Sequence, residues 1–307
     1  MPPLTFPMAD GSFSREAALY FANACDLAYQ DDPGEAAREF LGLDAVAFAH
    51  AESSTQGFAG RGDGFAVLAF RGSERPRENP RDWLTNFEKI QSQEDPFTGQ
   101  VHTGFSRAVN ASWDTIDPVL RRALAAGAAV GADDPGVPLY LTGHSLGGAL
   151  ATLASFRLSS GQLPAAGTNP AVRFVPRATY TFGAPRVGNT AFCAALVKPP
   201  LYRVVNNLDI VPLVPLRGSE TTDFRARLPR FTPQWARRLV EQADSGHDYD
   251  DAETLVYIDA AGNLTQGGAR PDWLTAYTRQ SLQSFGRSLD APVADHFIDS
   301  YLRALHG

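Results

Sequence analysis

The 307-residue chain carries 27 Lys and Arg against 34 Asp and Glu, a formal net charge of -7, and is 44% hydrophobic and 20% charged. That balance is ordinary for a globular protein, long enough for one large α/β domain or two smaller ones, and with no basic cluster it argues against a nucleic-acid partner. No apolar run approaches the ~20 residues that span a bilayer, so no transmembrane segment is expected. The start, MPPLTFPMADGSFS, lacks both a basic region and a continuous apolar stretch, so it does not read as a signal peptide, and the expected location is cytoplasmic.

In chain order, residues 14–30 show helical spacing with Ser14 as the cap. Residues 45–50 and 65–70 are short apolar runs that predict strands. Residues 72–100 are polar and rich in Pro and Arg. A long amphipathic helix is expected over 105–130, interrupted near Pro118. A buried strand at 139–142 precedes a helix at 146–159, and further strands follow at 178–182 and 201–205. Residues 216–252 are rich in Arg and Asp. Residues 254–266 predict a hairpin turning at Ala261-Gly262-Asn263, 273–282 a helical stretch, and 294–306 a closing helix. Strands alternating with helices predict an α/β fold, a mostly parallel sheet with helices on both faces, and no linker divides 1–307 into two domains. Cys25 and Cys193 fall in predicted helices and read as two buried thiols.

The densest chemical signal is Gly143-His144-Ser145-Leu146-Gly147, with the apolar run 137–141 before it and Gly148, Ala149 and Ala151 after it. This is strand, sharp turn, helix. Such a turn strains the serine and lifts its hydroxyl off the sheet, with a helix N-terminus beneath it. A bare G-x-S-x-G means little in a chain with 27 glycines; with strand and helix in place it marks a nucleophile.

A serine hydroxyl needs a base within hydrogen-bond reach. In this layout the acid and the histidine follow the serine in that order. His50 and His102 precede it, and His144 adjoins it, where neighbouring side chains are expected to point apart. His306 is penultimate and frayed. His296, after Asp290-Ala291-Pro292 and opening the last helix, is favoured, with His247 in SGHDYDD as the alternative. Asp209 is the favoured acid, because it lies in the exit loop of the 201–205 strand and the apolar run 211–215 would keep it dry. A carboxylate there fixes the imidazole tautomer. Asp223, Asp244, Asp248 and Asp250 are rivals in polar stretches. The oxyanion hole needs the N–H of Leu146 and a second donor from an early loop, for which Arg71-Gly72-Ser73 fits. No His-Cys cluster has ligand spacing and no dinucleotide fingerprint occurs, so no metal or cofactor is expected.

An ordered set of segments carries a family resemblance. It runs through Phe70-Arg71-Gly72-Ser73, Asp82-Trp83-Leu84-Thr85-Asn86 and His102-Thr103-Gly104-Phe105 to residues 141–151. It continues with Thr181-Phe182-Gly183-Ala184-Pro185-Arg186-Val187-Gly188-Asn189, Arg203-Val204-Val205-Asn206, Asp209-Ile210-Val211-Pro212 and Asp295-His296. In this order the chain resembles the fungal-type triacylglycerol lipases, or class three lipases, of the α/β-hydrolase fold. The resemblance implies Ser145 as nucleophile, Asp209 as acid, His296 as base and Ser73 with Leu146 at the oxyanion hole. It implies a lid over 74–90, and a structural role for His247.

The activity implied is that of a serine carboxylic-ester hydrolase (lipase or esterase) forming an acyl-enzyme, on acylglycerols or short-to-medium acyl esters, with an ester or lipid substrate as partner. The alternatives are a phospholipase or feruloyl-type esterase on the same framework, or a non-catalytic relative that binds a lipid or a protein. The chain lacks the signal peptide and disulfides of secreted fungal members, so their location does not carry over. In the lid region Trp83, Leu84 and Phe87 share one helical face, while Glu74, Arg75, Arg77, Glu78, Arg81, Asp82, Glu88 and Lys89 are charged. A helix there can cover the acyl pocket or be docked permanently on the core, and its charges predict weak interfacial activation. Residues 216–252 and 267–290 are candidate cap insertions.

Overall fold

The computed structural model describes residues 3–7, 11–73, 91–125, 137–160, 174–196, 199–228, 234, 237, 249–251, 254–268, 271–283 and 291–306. Residues 65–70, apolar without interruption, form strand β3 (Phe65–Phe70), buried along its whole length. Its period of two divides it between two cores. Phe65, Val67 and Ala69 face one, and Ala66, Leu68 and Phe70 the other. A strand covered on both faces belongs inside a sheet flanked by helices.

The sheet has eight strands in the order β1-β2-β3-β6-β7-β8-β9-β10. These are β1 (Asp44–His50), β2 (Thr55–Gly62), β6 (Val137–His144), β7 (Phe174–Phe182), β8 (Leu201–Asn206), β9 (Thr254–Ile258) and β10 (Leu264–Gln266), together with β3. From β3 to β9 neighbours run parallel. The outer pairs are antiparallel. β4 (Gln91–Ser92) and β5 (Val101–His102) form a separate small ribbon.

Helices α1 (Arg15–Leu27), α2 (Pro33–Leu41) and α9 (Ile298–His306) bury their apolar sides in one core. Helices α3 (Thr103–Ala125) and α4 (Leu146–Ser159) bury theirs in the other. Between β7 and β8 lies α5 (Thr190–Ala195). A third cluster joins Leu208 and the apolar 210–216 segment to Phe224 of α6 (Gly218–Arg227) and to Trp273, Leu274 and Tyr277 of α7 (Trp273–Gln283). It also includes Val293 of α8 (Ala291–Ala294).

The cap reading holds for Ser14, whose hydroxyl accepts from the Ala17 N–H at 3.0 Å. Strand β2 and helix α2 were not legible in the sequence. The break expected near Pro118 does not occur, and α3 runs through it. Proline removes one backbone bond, but Val109, Trp113, Ile116 and Leu120 anchor the helix in the core on both sides of it. Cys25 is buried and Cys193 only half-buried, a correction to the pair of buried thiols; neither forms a disulfide. Among the described residues no helix is long and apolar enough to cross a membrane. Trp83, Leu84, Phe87 and the rest of 74–90, with Asp244, His247 and Asp248, lie outside the described residues.

Candidate active site

The elbow forms where β6 ends and α4 begins. Ser145 sits between them with φ 57° and ψ -128°, a left-handed conformation that costs a residue with a Cβ about 1–3 kcal/mol. The surroundings hold it there. Its N–H donates to the Phe182 carbonyl at 2.9 Å, and its own carbonyl accepts from Gly148 at 3.0 Å. The flanking glycines are required by packing. A Cβ on Gly143 would overlap the Gly147 carbonyl, and one on Gly147 would overlap the Phe70 carbonyl. The serine hydroxyl makes no capping bond to α4, so it is not spent on the helix it precedes.

The loop that carries Asp209 follows β8. Asp209 is fully buried, and the Val211 N–H donates to its Oδ1 at 2.9 Å. The apolar segment after it is pinned from outside. Arg186 donates to the carbonyls of Leu213 (2.8 Å) and Pro215 (3.1 Å), and Arg203 to that of Pro212 (2.6 Å). The Trp273 indole donates to the Leu208 carbonyl at 2.9 Å.

His296 is buried in the turn between α8 and α9 rather than opening the last helix, which begins at Ile298. Its Nδ1 lies 3.0 and 2.9 Å from the two oxygens of Asp209. An ionised carboxylate only accepts, so Nδ1 carries the proton and Nε2 keeps the lone pair. Gly183, with φ 59°, passes close behind this pair; a Cβ there would stand 2.6 Å from Asp209 Oδ2 and 2.9 Å from His296 Nδ1. Asp295 ties the two loops together. Its Oδ2 accepts from Asn207 Nδ2 (2.9 Å) and Leu208 N (3.1 Å), and its carbonyl from Asn206 Nδ2 (3.0 Å). Burial pushes the Asp295 carboxyl up to about 6, in spite of these donors, and the nearby Asp209 charge adds to the rise.

Gly72, Ser73 and Leu146, the oxyanion candidates with their hinge glycine, line one cavity of about 440 Å³. Its lining mixes apolar residues, Leu146, Leu150 and Ala108, with polar ones, Ser53, Thr55, Gln56 and Arg71.

The other sequence candidates lie elsewhere or serve otherwise. His102 Nδ1 accepts from the N–H groups of Gly104 and Phe105 at the start of α3. Asp223 pairs with Arg227 at 2.7 Å, and Asp250 with Arg217 at 2.5 Å. His144 packs its ring beside that of His296, with the centroids 4.7 Å apart. Tyr301 and Tyr29 were missed altogether. Tyr301 donates to Asp209 Oδ2 at 2.5 Å, and Tyr29 reaches His144 Nδ1 at 2.9 Å. Both are aromatic residues at helical spacing, a pattern that reads as core. Among the described residues no cluster of His, Cys, Asp and Glu could hold a metal ion.

A family model for lipase (class 3) matches residues 67–219, a span that contains both Ser145 and Asp209. The chain belongs to the class 3 lipase family. Among its relatives, the secreted mono- and diacylglycerol lipase 1 of Fusarium solani is 34% identical over 152 residues, 48% of this chain and 39% of that protein. A chloroplastic phospholipase A(1) of Arabidopsis thaliana is 30% identical over 148 residues, 46% of this chain and 30% of that one. The matches therefore span well under half the length of these relatives. The triacylglyceride lipase of Rhizomucor miehei shares the α/β-hydrolase fold, with a TM-score of 0.57 at 21% identity, covering 83% of this chain and 84% of that one. The class 3 lipase match stops short of His296, which reaches the elbow through the fold.

Proposed function

We propose that this class 3 lipase-family chain is a serine carboxylic-ester hydrolase, with Ser145 as nucleophile, His296 as base and Asp209 as acid. The observation that carries the reading is the buried Asp209–His296 pair, tied through His144 to a serine in a strained elbow. In that arrangement Ser145 Oγ attacks the ester carbonyl while His296 Nε2 takes its proton. The C–O bond to the alcohol then breaks, and His296 returns the proton to the leaving oxygen. Water, deprotonated by the same nitrogen, attacks the acyl-serine and releases the acid. The oxyanion would lie against the Leu146 N–H and Ser73.

Acylglycerols and short-to-medium acyl esters are the proposed substrates, with the charged 74–90 segment favouring weak interfacial activation. The polar residues in the lining of the cavity beside the proposed oxyanion loop favour a second reading, an ester with a polar headgroup such as a phospholipid. The names of the Fusarium and Arabidopsis relatives bear on these two classes in turn. We read residues 1–307 as one domain, with 216–252 and 267–290 as candidate cap insertions. A cytoplasmic location is proposed, and secretion, as named for the Fusarium relative, is its rival.

A fluorophosphonate should label the wild type at Ser145 and leave Ser145→Ala unlabelled, with the fold intact. A wild type that neither reacts nor hydrolyses any p-nitrophenyl ester would reject the reading. Rates on emulsified diacylglycerol against phosphatidylcholine vesicles then separate the two substrate classes.

A further inference from the structure

His144, the residue before the nucleophile, is buried with both ring nitrogens engaged. Nε2 lies 2.7 Å from the carbonyl oxygen of His296, and Nδ1 lies 2.9 Å from the phenol of Tyr29. A carbonyl only accepts, so Nε2 carries the proton and donates. In the neutral ring Nδ1 is then the acceptor, and the Tyr29 hydroxyl donates to it. Its partners therefore fix the tautomer of His144, and it is the opposite of that in His296. The ring also packs against the site, 4.7 Å from the His296 ring and 6.1 Å from that of Tyr301, the donor to Asp209.

Resting on the serine-hydrolase reading, we propose that His144 is a positioning residue, which straps the main chain of the base to the elbow that carries the nucleophile. Asp209 orients the His296 ring through Nδ1, but it sits at the end of β8 and does not by itself set how far the ring stands from the elbow. The bond from residue 144 to residue 296 does so directly, since these are the neighbour of Ser145 and the base itself. Tyr29, just beyond α1, steadies the strap from the other side. The Arg71 guanidinium lies over the Tyr29 ring at 5.7 Å, so the same support extends to the proposed oxyanion loop. A displacement of reacting groups by about 1 Å costs on the order of 10²-fold in rate, which sets the expected effect of losing the strap.

Glutamine offers an amide N–H and a carbonyl oxygen about as far apart as the two ring nitrogens, so His144→Gln can keep both bonds. His144→Leu keeps the bulk and loses both. With p-nitrophenyl butyrate, His144→Leu should lower kcat about 10²-fold with KM nearly unchanged. His144→Gln should recover most of that loss. Tyr29→Phe, which removes only the outer bond, should cost about fivefold. Proton NMR supplies a readout without turnover: the His296 Nδ1 proton should exchange with water faster in His144→Leu than in the wild type or His144→Gln. The proposal is overturned if His144→Leu keeps more than half of kcat, or if the Leu and Gln variants lose activity equally and in step with melting temperature. An unchanged exchange rate overturns it as well. A wild type inert to fluorophosphonate and to every ester fails the hydrolase reading instead, and the exchange measurement still reports whether His144 holds His296.

Discussion

The phenol of Tyr301 donates to Asp209 Oδ2 at 2.5 Å, from a position five residues after His296 on the last helix. One short stretch of chain thus supplies both the proposed base and a donor to its acid. The phenol oxygen also accepts from the Asn206 N–H at 3.2 Å, so the last helix is joined to the end of β8 at the same point.

Tyr301→Phe removes a buried hydrogen bond to a charged group, a loss of about 1.5–3 kcal/mol. The expected result is a fall in kcat/KM of about 10- to 100-fold and a lower melting temperature. Steady-state kinetics with calorimetry checks this, and a variant equal to the wild type on both counts would show that the contact does no more than fill space.

Asp209→Asn should lower kcat by about 10⁴-fold with little change in KM, because an amide can donate to Nδ1 and favour the wrong tautomer of His296. The protein should still be folded, since the amide oxygen can accept from the Val211 N–H and the amide NH2 can donate to the Tyr301 phenol oxygen. If Asp223 or Asp250 proved essential and Asp209 did not, the acid would come from elsewhere in the chain.

Asp295→Asn tests a pH dependence of stability. The folded-state carboxyl is raised to about 6 by burial, above the ~3.9 of an exposed aspartate. Between those values the folded chain holds a proton that the unfolded chain has released. Its stabilising contribution is therefore full below about pH 4 and lost as pH rises through about 6. Asparagine does not titrate, so the melting temperature of the wild type should fall relative to the variant as pH climbs from about 4 to about 7. A difference that stays flat across this range would mean that Asp295 titrates normally.

Arg186→Leu should be the most destabilising of these changes. The guanidinium is 2% exposed and pairs with Glu220 at 2.7 Å and Asp251 at 3.0 Å. Burial alone would raise the Asp251 carboxyl, but the charges of Arg186 and Arg203 hold it well below the usual carboxylate range. Breaking a buried pair costs about 3–5 kcal/mol, and here two carbonyls of the acid loop lose their donor as well. Urea unfolding reads the loss. A variant within about 1 kcal/mol of the wild type would put the weight of the acid loop on its apolar contacts instead.

Local chemistry was legible in the sequence by itself. The elbow needs glycine at 143 and 147 and a strand and helix around Ser145, and all of these are local constraints written in consecutive residues. The place of Asp209 in a buried strand exit was legible for a similar reason, since a strand followed by a stiff apolar run leaves a distinct pattern. The unbroken course of α3 through Pro118 was not legible, because core packing on both sides of it outweighs one missing bond. Nor was β2, whose glycines hide any alternation.

Only the tertiary structure decided how distant segments meet. Residues 29, 144, 209, 296 and 301 converge because parallel strands deliver their ends to one edge of the sheet and the last helix folds back across it. Nothing in the local sequence marks Tyr29 or Tyr301 as more than core aromatics, or His144 as a partner of the His296 main chain. Side-chain direction at a strained turn depends on what packs against it, and the partners of His144 lie far along the chain in both directions, at Tyr29 and His296.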